Sequence, residues 1–186
     1  MIADFFKYLF KYALIDLSTG IRNLIKWLPV IWVDRDWDHH YIYEILKFKI
    51  RRQADYIGKM DRHVSAKRSA EIMRLVARLI DRQQEEFYGC EYMRYHNSNY
   101  NWIDIDEKPE LKQLDIEIVS EDFDEYFKKY ARQYKRAMSG EINRYNKPIE
   151  EKDKKLIAME IAHENQHRCH MLLHRLLERN INDWWD

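Results

Sequence analysis

Four glycines and three prolines are all that this 186-residue chain carries, and that scarcity constrains its fold more than any motif does. Tight hairpin turns draw on glycine for positive φ and on proline for a preset φ, so a chain this poor in both reads as helical. The length suits one hydrophobic core with at most a small appendage. The expectation is an all-α, single-domain helical bundle, with an N-terminal apolar segment over 1–33 ahead of a helical core over 34–186. Lys plus Arg (32) balance Asp plus Glu (32), which removes the overall field that draws proteins to nucleic acid. No specific nucleic-acid partner is expected. Cys90 and Cys169 are too few for a disulfide framework, and no cleavable signal stands out, so a reducing, cytoplasmic setting fits.

Residues 2–17 place Ile2, Phe5, Phe6, Leu9 and Ala13 on one helical face, opposite a narrow strip of Asp4, Lys7 and Lys11. Tyr8, Phe10, Tyr12, Leu14 and Leu17 widen the apolar side until it demands cover. Core packing or a homo-oligomer contact is preferred over a bilayer surface, and Lys7, Lys11 and Asp16 make the run a poor membrane span. Ser18-Thr19-Gly20 is expected to break this helix, and Pro29 to close the short apolar run from Ile21 to Leu28.

The charged, aromatic stretch Asp34-Arg35-Asp36-Trp37-Asp38 then leads into a helix reaching Ile57, with Trp37, Tyr41, Ile45 and Phe48 in one row and Gly58 as its end. An EF-hand loop counted from Asp34 would need Gly where His39 stands and an acid where Ile45 stands. A structural account is preferred: an aspartate caps the helix, Arg35 bridges to a carboxylate, and Trp37 anchors the start. From Ser65 to Tyr92 the helical period is cleanest, with Ile72, Leu75, Val76, Leu79 and Ile80 facing inward. Arg74, Arg78 and Arg82 recur every fourth residue on its polar side, where like charges repel unless something negative answers them. The Asp34–Asp38 cluster, Glu71 and Glu85 are the internal candidates; a phosphate-bearing ligand is the external one.

Periodicity fails around 95–119, which reads as a long irregular connection with room for a short strand over residues 115–119. Ser120 is placed as the N-cap of a helix ending at Ser139-Gly140. Its Phe123, Tyr126, Phe127, Tyr130 and Tyr134 are weighed as packing rather than as a base-stacking platform. A last helix runs from near Pro148 toward Asn180, and Trp184 and Trp185 are expected to dock into the core or a partner.

That last helix contains His163-Glu164-Asn165-Gln166-His167, the H-E-x-x-H pattern of zinc metalloproteases. Histidines four apart share a helical face and can reach one metal, leaving Glu164 to act as general base on a metal-bound water. His170 and His174 extend the stripe. The longer zincin pattern asks for Gly at 170 and His at 173, where this chain has His170 and Leu173. The preferred expectation is therefore no cofactor and no catalysis. Zinc on His163 and His167 is kept as the alternative.

The chain resembles a family of small, uncharacterised bacteriophage-encoded proteins. The resemblance rests on Trp32-Val33-Asp34-Arg35-Asp36-Trp37-Asp38, Glu44-Ile45-Leu46-Lys47-Phe48-Lys49, the Arg78-Leu79-Ile80 to Tyr88 segment and the closing Trp184-Trp185-Asp186. It covers about half the chain, from near Ile21 to Glu91 and again at the end. It implies a phage accessory protein acting inside an infected bacterium. The expected function is noncatalytic binding of a small anionic ligand, such as a signalling nucleotide, or of a host protein, as a counter to host defence. Trp37, Lys47, Lys49, His63, Arg74, Arg78 and Arg82 are the expected ligand-binding residues. The rivals are a zinc-dependent hydrolase and a structural or membrane-associated phage factor.

Overall fold

The computed structural model describes residues 2–61, 64–104, 111–144, 146 and 149–184, excepting the side chains of residues 2–11 and of Ile118. The expectations placed on His63, Pro148, Trp185, Asp186 and the first apolar side chains from Ile2 to Phe10 lie outside the described residues. Helices dominate, but the fold is not purely all-α: a two-stranded antiparallel sheet stands among them. The chain divides into two compact units, one reaching Ala77 and one starting at Arg78. No helix among the described residues is long and apolar enough to cross a membrane.

In the first unit, α1 (Ile2–Ile31) runs unbroken through Ser18-Thr19-Gly20 and Pro29. A helical glycine costs only about 1 kcal/mol relative to alanine, too little to divide so long a helix. Arg22 also donates to Ser18 Oγ at 3.0 Å across that turn. Pro29 sits in the last turn, where the Trp32 N–H still reaches the Leu28 carbonyl at 2.9 Å. The helix α2 (His40–Met60) starts where Asp38 Oδ1 accepts the His40 N–H at 2.8 Å. Arg35 donates to the Asp34 carbonyl at 2.8 Å and to no carboxylate among the described residues, and Trp37 is 82% exposed rather than packed as an anchor.

The buried line of α2 is Ile50, Ala54 and Ile57, in the second half of the helix and, at about 100° per residue, on roughly the opposite face from the expected row. Gly58 does not end the helix. A Cβ there would meet Ala70 Cβ at 3.2 Å and Arg74 Nη2 at 3.3 Å, so glycine admits a close approach of α3 (Ala66–Gln84). The end is made by Asp61, whose left-handed backbone (φ 47°) returns its N–H to Ile57 at 3.1 Å. Aspartate is among the few residues that tolerate this conformation. Along α3 the fully buried line runs through Ala66, Ala70, Met73, Val76 and Ile80, whereas Leu75 is at the surface. The helix stops at Gln84, short of Tyr92, and Glu86 turns the chain with φ 46°.

In the second unit, a 3-10 turn over Glu91–Tyr95 leads into β1 (His96–Asp104), which pairs with β2 (Lys112–Glu121). The expected irregular connection is therefore a hairpin, its register shifted once at Asn97/Ser98. Ser120 lies opposite Asn97 in that sheet and caps no helix. The helix expected next comes as two, α4 (Phe123–Lys129) and α5 (Ala131–Met138), parted at Tyr130 (φ −116°, ψ 42°). Last comes α6 (Lys154–Asn180). Phe123, Tyr126, Phe127, Ala137, Ile142, Ile157, Ala158 and Ile161 form one buried cluster. The aromatics are thus packing: the Phe127 and Tyr134 rings stack 4.7 Å apart. Burying each such large side chain contributes roughly 1.5–3 kcal/mol.

Candidate functional site

Asn165, Arg168, Cys169, Leu172 and Arg175 recur on α6 at the spacing that keeps side chains on one helical face. With Leu79 from α3, Tyr88, Tyr130 and Met171 they line a cleft of about 510 Å³. That volume is within the range of small-molecule sites, roughly 300–1,000 Å³. Its walls are held in place by groups that are themselves well tied. Gln166 Oε1 accepts the backbone N–H groups of Tyr88 (3.1 Å) and Gly89 (3.3 Å), and its Nε2 donates to the Gln83 side chain at 3.2 Å. One amide thereby fixes the turn that presents Tyr88. Across the cleft, the Tyr130 hydroxyl donates to the buried Glu91 carboxylate at 2.5 Å, and Lys129 pairs with the same carboxylate.

The charge in the cleft is positive. Arg168 and Arg175 are exposed, and neither forms an ion pair with a carboxylate among the described residues. Successive lining arginines seven residues apart lie about 10 Å apart along the axis. Asn165 Oδ1 accepts from Gln133 at 3.2 Å, and its buried Nδ2 has no acceptor among the described residues. A buried donor left unmet costs about 1–3 kcal/mol. Burial, then the hydrogen bond to Glu91, pushes the Tyr130 hydroxyl far above the ordinary tyrosine range, so it remains a neutral donor. Burial also pushes the Cys169 thiol up, against the opposing pull of Arg82. A neutral thiol with no histidine or carboxylate among the lining residues is equipped for contact rather than nucleophilic attack.

Of the residues expected to bind a ligand, Trp37, Lys47, Lys49 and Arg74 belong to the first unit and Arg78 and Arg82 to the second. Lys47 is mostly buried and paired with Glu44, and Lys49 is exposed. Arg74 is answered by Asp55 at 3.3 Å, a partner outside the expected acidic candidates. Arg82 lies 3.5 Å from the centre of the Phe87 ring, and Arg78 is exposed without a carboxylate partner among the described residues. Neither Arg78 nor Arg82 is among the residues that line the cleft.

The histidine row lies roughly opposite the cleft face, at about 100° per residue along α6. His163, Glu164 and His167, with Ile142, Arg144 and Glu160, surround a separate hollow of about 290 Å³. Arg144 Nη1 stands 3.1 Å from His163 Nδ1, and Arg136 Nη1 donates to Glu164 Oε1 at 2.9 Å. A Glu164 oxygen is thus already engaged by one guanidinium, and a second cation stands beside the His163 ring nitrogen that a metal would need. No cluster of three metal-ligating side chains occurs among the described residues. His170 is pushed below its ordinary value of 6.5 by burial and by neighbouring His174 and His167. Of the motif's residues it is the two variable ones that meet the cleft, Asn165 as part of its lining and Gln166 as the tie to the turn at Tyr88. Polar side chains on the buried flank of an amphipathic helix were their visible signal. No protein family, curated protein or solved structure matches the chain.

Proposed function

We propose that this chain is a noncatalytic accessory protein, phage-encoded as its resemblance implies, which captures a small anionic ligand in the α6 cleft. Its setting is the cytoplasm of an infected bacterium, where sequestering a signalling nucleotide counters host defence. The observation that carries this reading is the pair Arg168 and Arg175, carboxylate-free among the described residues and set along a floor of Leu79, Cys169, Met171 and Leu172. Guanidinium groups match phosphate geometry in a way that point charges do not. The apolar floor and the tyrosines suit a planar base.

A second reading, capture of a host protein, draws on the hairpin, where Tyr100 faces Ile116 and Trp102 faces Leu114 with all four exposed. The zinc-hydrolase reading is disfavoured by the guanidinium groups already on Glu164 and His163. Calorimetric titration with adenosine monophosphate and a cyclic dinucleotide separates these readings. Saturable binding of one probe, weakened tenfold or more in Arg168→Ala, Arg175→Ala, supports the cleft. No binding of either probe at millimolar concentration, or binding that the double variant leaves intact, overturns it.

A further inference from the structure

The largest feature that ligand capture leaves unused is the outer face of α1. Leu14, Leu17, Ile21, Leu24, Leu28 and Ile31 follow one another at steps of three, four, three, four and three residues. That is the a/d alternation of a heptad, unbroken for about 27 Å at 1.5 Å per residue. Every one of the six is exposed, between 44% and 60%, so no side chain among the described residues buries this seam. Asp16, Arg22 and Lys26 all fall at the b, c and f positions, on the side away from it. The uncharged polar residues Thr19 and Asn23 fall on that side too, while Ser18 stands at an e position beside the seam.

We infer that the occupant of this seam is α1 of a second copy of the chain, packed along it as a coiled coil. The polar side favours a helix over a bilayer surface: a helix lying on lipid is characteristically rich in Lys and Arg there, whereas this segment carries one acid and two bases. A self-complementary seam also covers both copies at once, as a two-fold contact requires. Continuity of α1 through Gly20 and Pro29 is what keeps the register in phase; a break at either would have put the two halves on different faces.

Sedimentation equilibrium of the full chain at tens of micromolar tests this, with the 23.1 kDa mass of one chain as reference. The expected result is twice that mass for the wild type and a single-chain mass for Leu17→Asp, Leu24→Asp, with helical circular dichroism retained. Ile15→Asp, at a b position exposed to 48%, is expected to keep the dimer. A second route does not depend on how the aspartates are tolerated. In a Cys90→Ser background, Leu24→Cys is expected to form an inter-chain disulfide on mild oxidation, and Lys26→Cys is not. A monomeric wild type, whether or not it floats with liposomes, overturns the inference. So does an oligomer that survives the seam substitutions, or equal cross-linking from both cysteines.

Discussion

The two longest helices, α1 with 30 residues and α6 with 27, solve the same problem in opposite ways. Along α6 the apolar residues Ile157, Ala158, Ile161, Ala162, Cys169 and Leu173 are buried by the chain's own elements. Along α1 the corresponding residues from Leu14 to Ile31 remain at the surface. The comparison teaches that an amphipathic pattern names the face to be covered and says nothing of what covers it. In α6 the neighbours arrive within about thirty residues of sequence: Phe123, Tyr126, Phe127 and Ala137 of α4 and α5 form the same cluster as Ile157, Ala158 and Ile161. The small residue there matters, because Ala158, fully buried within the cluster, leaves room for those aromatic rings.

The sharpest way to break the comparison is to shorten one side chain on each helix. Ile161→Ala in α6 is expected to cost about 2–5 kcal/mol by cavity formation, against under about 0.5 kcal/mol for Leu24→Ala in dilute monomer. Urea denaturation of both variants at sub-micromolar concentration reads the difference. Equal losses would place Leu24 in a core after all. Next in size, Glu91→Ala should cost about 1–3 kcal/mol, because Tyr130 and Lys129 lose a buried acceptor. The same variant should also widen the cleft by freeing Tyr130, seen as weaker binding of the nucleotide probe at unchanged Arg168 and Arg175. Arg168→Ala alone is expected to leave stability within about 0.5 kcal/mol while reducing probe affinity, since an exposed charge does little for the fold.

The smallest expected effect concerns His170. Its value is lowered in the folded state, so below pH 6.5 the unfolded chain takes up a proton that the folded chain resists. Stability should therefore fall as pH drops through that value, and it should be free of this contribution above it. Thermal unfolding at pH 7.5 and 5.5 should show a smaller acid-induced drop in Tm for His170→Gln than for the wild type. An identical drop would remove His170 from the account.

The predominance of helix and the location of α3 and α6 were legible in the residue pattern because their apolar residues hold the helical period for several turns. The core line of α3 was displaced because its closest packing is done by Ala66 and Ala70, which carry too little apolar area to register beside Leu75. The hairpin escaped because both strands alternate weakly and no Asn-Gly or Asp-Gly pair marks a turn. The division at Tyr130 is set by its tertiary bond to Glu91, thirty-nine residues away, which no local pattern reveals. The same holds for the cleft. Arginine spacing on α3 was visible in the sequence, but the pairing of Arg74 with Asp55 and the absence of carboxylate pairs at Arg168 and Arg175 among the described residues required the packed chain.

Hydrogen exchange at two protein concentrations tests most directly the claim that α6 is satisfied within its chain and α1 only between chains. Protection of the amides from Leu14 to Ile31 should fall steeply when the protein is diluted from tens of micromolar to tens of nanomolar, while protection from Ile157 to Leu173 stays constant. Protection of α1 that persists unchanged on dilution would contradict the account, because it would mean that the seam is covered without a second copy.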